Sequence, residues 1–60
     1  MKVIINATNN GYSPEQCGRT MTVRDMIELL EQYDDDAKVY LSFDNGYTYG
    51  SIREEDLSED

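Results

Sequence analysis

Lys38-Val39-Tyr40-Leu41-Ser42-Phe43-Asp44-Asn45-Gly46-Tyr47-Thr48-Tyr49-Gly50-Ser51-Ile52-Arg53 is the stretch whose reading decides the fold. Its first six residues are rich in β-branched and aromatic side chains and alternate in polarity, as a half-buried strand does. Asn45-Gly46 then supplies the two positive φ values of a type I′ turn, and the chain returns through a second alternating run. A two-residue turn sets the register. Asp44 faces Tyr47, Phe43 faces Thr48, Ser42 faces Tyr49, Leu41 faces Gly50, Tyr40 faces Ser51, Val39 faces Ile52 and Lys38 faces Arg53. Cross-strand partners share a face of the sheet. One face therefore carries Val39, Leu41, Phe43, Thr48, Gly50 and Ile52 and is expected to receive a helix. The other carries Tyr40, Tyr47 and Tyr49 with Ser42, Ser51, Lys38, Arg53 and Asp44.

That helix lies upstream. Thr22 is placed to cap it, with Asp25 three residues later completing a capping box. Val23, Met26, Ile27, Leu30 and Tyr33 recur at helical spacing, while Arg24, Asp25, Glu28, Glu31 and Gln32 form the wet side. The spacing predicts a helix over about 23–33. Residues 2–7 are a further strand, with Val3, Ile5 and Ala7 on the core side and Ile4 on the tyrosine side. A strand apolar on both faces suits a central or interface position. Residues 8–20 read as a loop. Asn10-Gly11-Tyr12 echoes Asn45-Gly46-Tyr47 and allows a second, weaker hairpin, with Pro14 restricting any strand there to an edge. The expected fold is α+β: a small, mainly antiparallel sheet of three strands, with room for a fourth, packed by one amphipathic helix.

Sixty residues form a single domain, 1–60, near the lower limit of what folds unaided. Cys17 is the only cysteine and there is no histidine, so neither an internal disulfide nor a zinc site is available as a brace. Self-association is the remaining support, and a homo-oligomer is expected. The three apolar residues Val3-Ile4-Ile5 are too few for a signal peptide, which needs roughly 7–15, or for a membrane helix, which needs about 20. A cytoplasmic protein with no membrane partner is the resulting expectation.

Five basic and thirteen acidic side chains give a net charge of −8. Residues 1–19 hold Lys2, Glu15 and Arg19, for +1, whereas residues 20–60 hold three basic and twelve acidic side chains, for −9. Such a surface repels nucleic acid, so direct binding to it is expected only through divalent cations. A basic protein surface is the natural partner.

Two features stand out for function. The first is the tyrosine face, where Ile4, Tyr40, Tyr47 and Tyr49 form an amphipathic patch of the kind enriched at interfaces. Tyrosines also favour strands for their own sake, and whether the patch meets another copy or a target stays open. The second is an acidic pole. Asp34, Asp35 and Asp36 follow the helix, where its dipole disfavours carboxylates. The hairpin register brings Glu54, Glu55 and Asp56 to the same end, tempered by Lys38 and Arg53. The six carboxylates are the candidate partner-binding residues. They suit mimicry of phosphates in a groove built for nucleic acid, although a solvated turn and a mobile acidic tail over 54–60 account for them equally well.

No cofactor is expected. The alternative is a divalent cation held by Asp34, Asp36 and Glu54, since Mg²⁺ and Ca²⁺ take oxygen ligands. Asp44 lies roughly 20 Å away, six strand residues from the pole, and an EF-hand loop starting at Asp34 has Val39 and Asn45 at its sixth and twelfth positions, so neither extends the set. Without histidine there is no triad and no thiol–imidazole pair, and the four glycines build no phosphate loop. Metal-assisted phosphodiester chemistry on carboxylates alone is the enzymatic route left, a DNA-nicking or DNA-relaxing nuclease.

The run Met21-Thr22-Val23-Arg24-Asp25-Met26-Ile27-Glu28-Leu29-Leu30, the strand Asp36-Ala37-Lys38-Val39-Tyr40-Leu41 and the bend Asp44-Asn45-Gly46-Tyr47-Thr48-Tyr49-Gly50 together resemble small acidic accessory proteins encoded by bacteriophages and mobile elements of bacteria. Proteins of this size and acidity from that source include anti-CRISPR inhibitors, some binding the CRISPR nuclease and others acting on nucleic acid. The resemblance implies an inhibitor or adaptor that engages a nucleic-acid-processing protein. It transfers no catalytic residue.

Overall fold

In the computed structural model, which describes residues 1–60, the hairpin forms between β2 (Lys38–Phe43) and β3 (Thr48–Ser51). Phe43 lies opposite Thr48, Ser42 opposite Tyr49, Leu41 opposite Gly50 and Tyr40 opposite Ser51. This is the register expected from Asn45-Gly46. The bend is longer than a two-residue turn. Asp44, Asn45 and Gly46 all take positive φ, at 53°, 57° and 90°. Tyr47 returns to φ −72° and donates its N–H to the carbonyls of Phe43 (3.0 Å) and Asp44 (3.2 Å). Asp and Asn tolerate the left-handed region better than most residues, so Asp44 leaves the ladder instead of pairing with Tyr47. The inner register survives because Phe43 and Thr48 bracket the same four residues in either geometry. At the other end the ladder stops at Tyr40–Ser51, before Ile52 and Arg53.

The strand β1 (Lys2–Asn6) pairs with β2 in parallel, matching Lys2 to Lys38, Val3 to Val39, Ile4 to Tyr40, Ile5 to Leu41 and Asn6 to Ser42. The bond from Ala7 N–H to the Ser42 carbonyl, 2.8 Å, continues this ladder. The order is β1-β2-β3. The sheet is therefore mixed, with β2 central and β1 at the edge, so of the central and interface positions that its apolar faces suit, the central one is taken by β2. A parallel pair cannot be joined by a tight turn and needs a crossover of a dozen or more residues. Here the crossover carries the helix.

Helix α1 (Val23–Leu30) starts where its cap requires. The Thr22 hydroxyl accepts from the Asp25 N–H at 3.1 Å, and the Asp25 carboxylate accepts from the Thr22 N–H at 3.2 Å. The helix ends three residues short of the expected 33. Gln32 N–H to the Leu29 carbonyl (3.2 Å) and Tyr33 N–H to the Leu30 carbonyl (3.1 Å) are tight three-residue bonds. No glycine closes this terminus, and Glu31 and Asp34–Asp36 oppose the helix dipole there. Thr22→Ala should cost about 1 kcal/mol, a fall of about 4–8 °C in Tm for a domain of this size. A thermal melt followed by circular dichroism checks it.

Residues 8–20 contribute no fourth strand. They form a loop around one 3-10 turn, Pro14–Gln16, with Pro14 in the first position that suits its fixed φ. The Gln16 side-chain oxygen accepts from the Tyr12 N–H at 2.8 Å, and the Asn10 amide donates to the Cys17 carbonyl at 3.3 Å. The Cys17 thiol, half-buried and free, points to the Ser13 carbonyl at 3.6 Å. A final 3-10 turn spans Glu54–Asp56. The result is an α+β unit of one helix and a three-stranded sheet. Val3, Ile5, Ala7, Val39 and Leu41, on one face of the sheet, are half-buried. No apolar side chain is fully buried.

Candidate binding surfaces

The parallel and antiparallel registers together set the composition of the tyrosine face. Ile4 sits beside Tyr40 on the β1–β2 ladder, and Ser42 sits beside Tyr49 on the β2–β3 ladder. Alternation then puts Lys2, Ile4, Tyr40 and Tyr49 around one open pocket of about 440 Å³. No α1 residue lines it, so these rings do not lie beneath the helix. The pocket offers two phenols, a branched aliphatic side chain and an ammonium group. Tyr49 leans toward the bend: a Cβ on Gly46 would stand 3.3 Å from the Tyr49 hydroxyl and 3.9 Å from the Ser42 Oγ. Ser42, in the central strand, is the one buried residue, at 3 % exposure.

Three of the four expected interface residues are thus gathered, and Tyr47 is not. It belongs to the bend, outside β3, and is 85 % exposed. Its separation follows from Asp44 leaving the ladder, which removes the pairing that would have held Tyr47 on the strand. Lys2 is a pocket residue that sequence reasoning missed. Only the parallel pairing of β1 brings it there, and the hairpin says nothing about that pairing.

Asp34–Asp36 precede β2 and Glu54–Asp56 follow β3, so the antiparallel register places both segments at one end of the sheet. All six side chains are exposed. Asp56 is partly committed, since its carboxylate accepts from the Arg53 N–H at 2.9 Å and closes the last 3-10 turn. Asp34, Asp35, Asp36, Glu54 and Glu55 carry no such bond. The parallel β1 adds Lys2 to this end, opposite Lys38. The pole therefore holds three basic side chains, Lys2, Lys38 and Arg53, among its acids. Asp44 lies at the far end of β2.

No three acidic or thiol side chains converge as a metal would require, so Asp34, Asp36 and Glu54 are not gathered into a ligand set. At the opposite end of the sheet, the chain leaving β1 meets the hairpin bend around a second pocket of about 380 Å³, lined in part by Asn6, Thr8, Asn9, Asp44 and Asn45. Amides, hydroxyls and one carboxylate make it a polar cleft, again a product of the parallel pairing. No helix is long and apolar enough to cross a membrane. Set against known proteins, the chain matches no family model, no curated protein and no solved structure.

Proposed function

We propose that this protein is an inhibitor or adaptor module that binds a basic surface of a nucleic-acid-processing protein. The observation that carries the reading is the placement of Asp34–Asp36 and Glu54–Asp56 at one end of the sheet, exposed. Carboxylates displayed together in this way present charge to a groove lined with Lys and Arg, in the manner of phosphates. The adjacent pocket of Ile4, Tyr40 and Tyr49 supplies the apolar part of the contact, since tyrosine offers large area at low entropic cost. A CRISPR nuclease is the target class that the resemblance to phage accessory proteins implies. Binding there would block the nucleic acid by occupying its path, without chemistry on it.

The test is a binding titration of the full chain against a purified CRISPR nuclease at several salt concentrations, alongside the variant Asp34→Asn/Asp35→Asn/Asp36→Asn. Exposed ion pairs contribute up to about 1 kcal/mol each, so the triple variant should bind about tenfold or more weakly at low salt. Its affinity should also depend less on salt. Equal affinity and equal salt dependence for the two proteins would remove the acidic pole from the mechanism.

A further inference from the structure

The chain, at 6.9 kDa, exposes 6030 Å². A folded monomer of that mass exposes about 4,000 Å². The radius of gyration is 12.8 Å, against about 10 Å for a compact chain of this length. Several large apolar side chains are among the uncovered ones. On α1, Met26, Ile27 and Leu30 keep 42, 41 and 38 % of their exposure, Tyr33 just beyond the helix keeps 45 %, and Phe43 and Ile52 of the hairpin region keep 40 and 38 %. No residue of α1 is fully buried.

We infer that a second copy of this chain covers the α1 stripe and the exposed apolar residues of the hairpin region, completing in a symmetric pair the core that one chain leaves open. The area fits. The excess of about 2,000 Å² per chain over the monomer expectation becomes about 4,000 Å² for two, within the 2,000–5,000 Å² typical of permanent homodimers. A cover needed to complete the core has to be present wherever the chain is, and another copy always is. The stripe itself is free of charge, with Asp25, Glu28 and Glu31 off it. At −8 per copy, the two chains repel one another through their remaining surface, and salt screens that repulsion. Pairing therefore strengthens as salt rises, the reverse of binding through the acidic pole. The two proposals can fail separately.

Sedimentation equilibrium and urea unfolding of the full chain, over a wide range of concentration and salt, test this. The expected result is a particle of twice 6.9 kDa that is favoured by salt. Its urea midpoint should rise with concentration, because each tenfold increase stabilises a dimer by about 1.4 kcal/mol. Ile27→Asp with Leu30→Asp should weaken association at least tenfold, and Tyr49→Ser should leave it unchanged. A single-chain mass with a concentration-independent midpoint would overturn the inference and show a chain that closes on itself. So would a dimer that survives the α1 variant and is lost with Tyr49→Ser. Where the double variant is unfolded, the wild-type concentration dependence still decides.

Discussion

Ile5→Asp is expected to unfold the domain at room temperature, while Ile4→Asp leaves it folded. The two residues are neighbours on β1 and face opposite sides of the sheet. Ile5 pairs with Leu41, and both are half-buried on the more covered face. Ile4 pairs with Tyr40 on the open pocket and is 39 % exposed. Fully burying an isoleucine side chain contributes about 1.5–3 kcal/mol, of which the half-buried Ile5 supplies part, and a carboxylate in its place adds the cost of desolvating a charge without a partner. At about 0.05–0.15 kcal/mol per residue, the whole stability of such a small domain is only several kcal/mol. The loss at Ile5 removes most of it. At Ile4 the carboxylate stays in water, and the change should remain below about 1 kcal/mol. Circular dichroism with urea titration distinguishes the two. Equal losses would mean that β1 does not present alternate faces as its parallel register requires, since a slip of one residue exchanges every side chain between faces.

Ser42→Glu is the second substitution with a large expected effect. Ser42 is central in the sheet, 3 % exposed, between Asn6 on one side and Tyr49 on the other. Its carbonyl also receives the Ala7 N–H. A glutamate there must push the Tyr49 ring out of the pocket or leave its own charge without water. Burial of an unpaired charge belongs to the short list of changes that cost several kcal/mol. A fall in Tm of about 10 °C or more is expected. Ser42→Ala keeps the volume nearly unchanged and should melt close to wild type. A Ser42→Glu protein as stable as wild type would show that Tyr49 does not close over the central strand.

The two outcomes bear on different links of the chain from sequence to binding surface. Ile5 tests the face that the α-helix or a second copy must cover. Ser42 tests the face that presents Tyr40 and Tyr49. A chain that tolerates Ile4→Asp and Ser42→Ala also provides folded backgrounds for asking which side chains of the tyrosine pocket contribute to binding.

The sequence by itself determined whatever depends on residues close along the chain. Thr22 and Asp25, three apart, make the capping box with no help from the rest of the molecule. The inner register of the hairpin follows from the residues flanking Asn45-Gly46, and alternation from that register places Tyr40 and Tyr49 on one face and both acidic segments at one end. The tertiary structure decided what depends on distant closure. The parallel pairing of β1 joins residues thirty-six apart in each matched pair, and no local pattern distinguishes it from an antiparallel one, because alternating side chains look the same in either direction. From that pairing came Lys2 in the pocket, Lys2 at the acidic pole and the polar cleft beside the bend. Tyr47 left the face because Asp44 adopts a left-handed conformation that an Asn-Gly signal alone does not specify. The half-covered stripe of α1 was likewise beyond the reach of periodicity, which says that a helix has an apolar side but not which surface, in this chain or another, comes to lie against it.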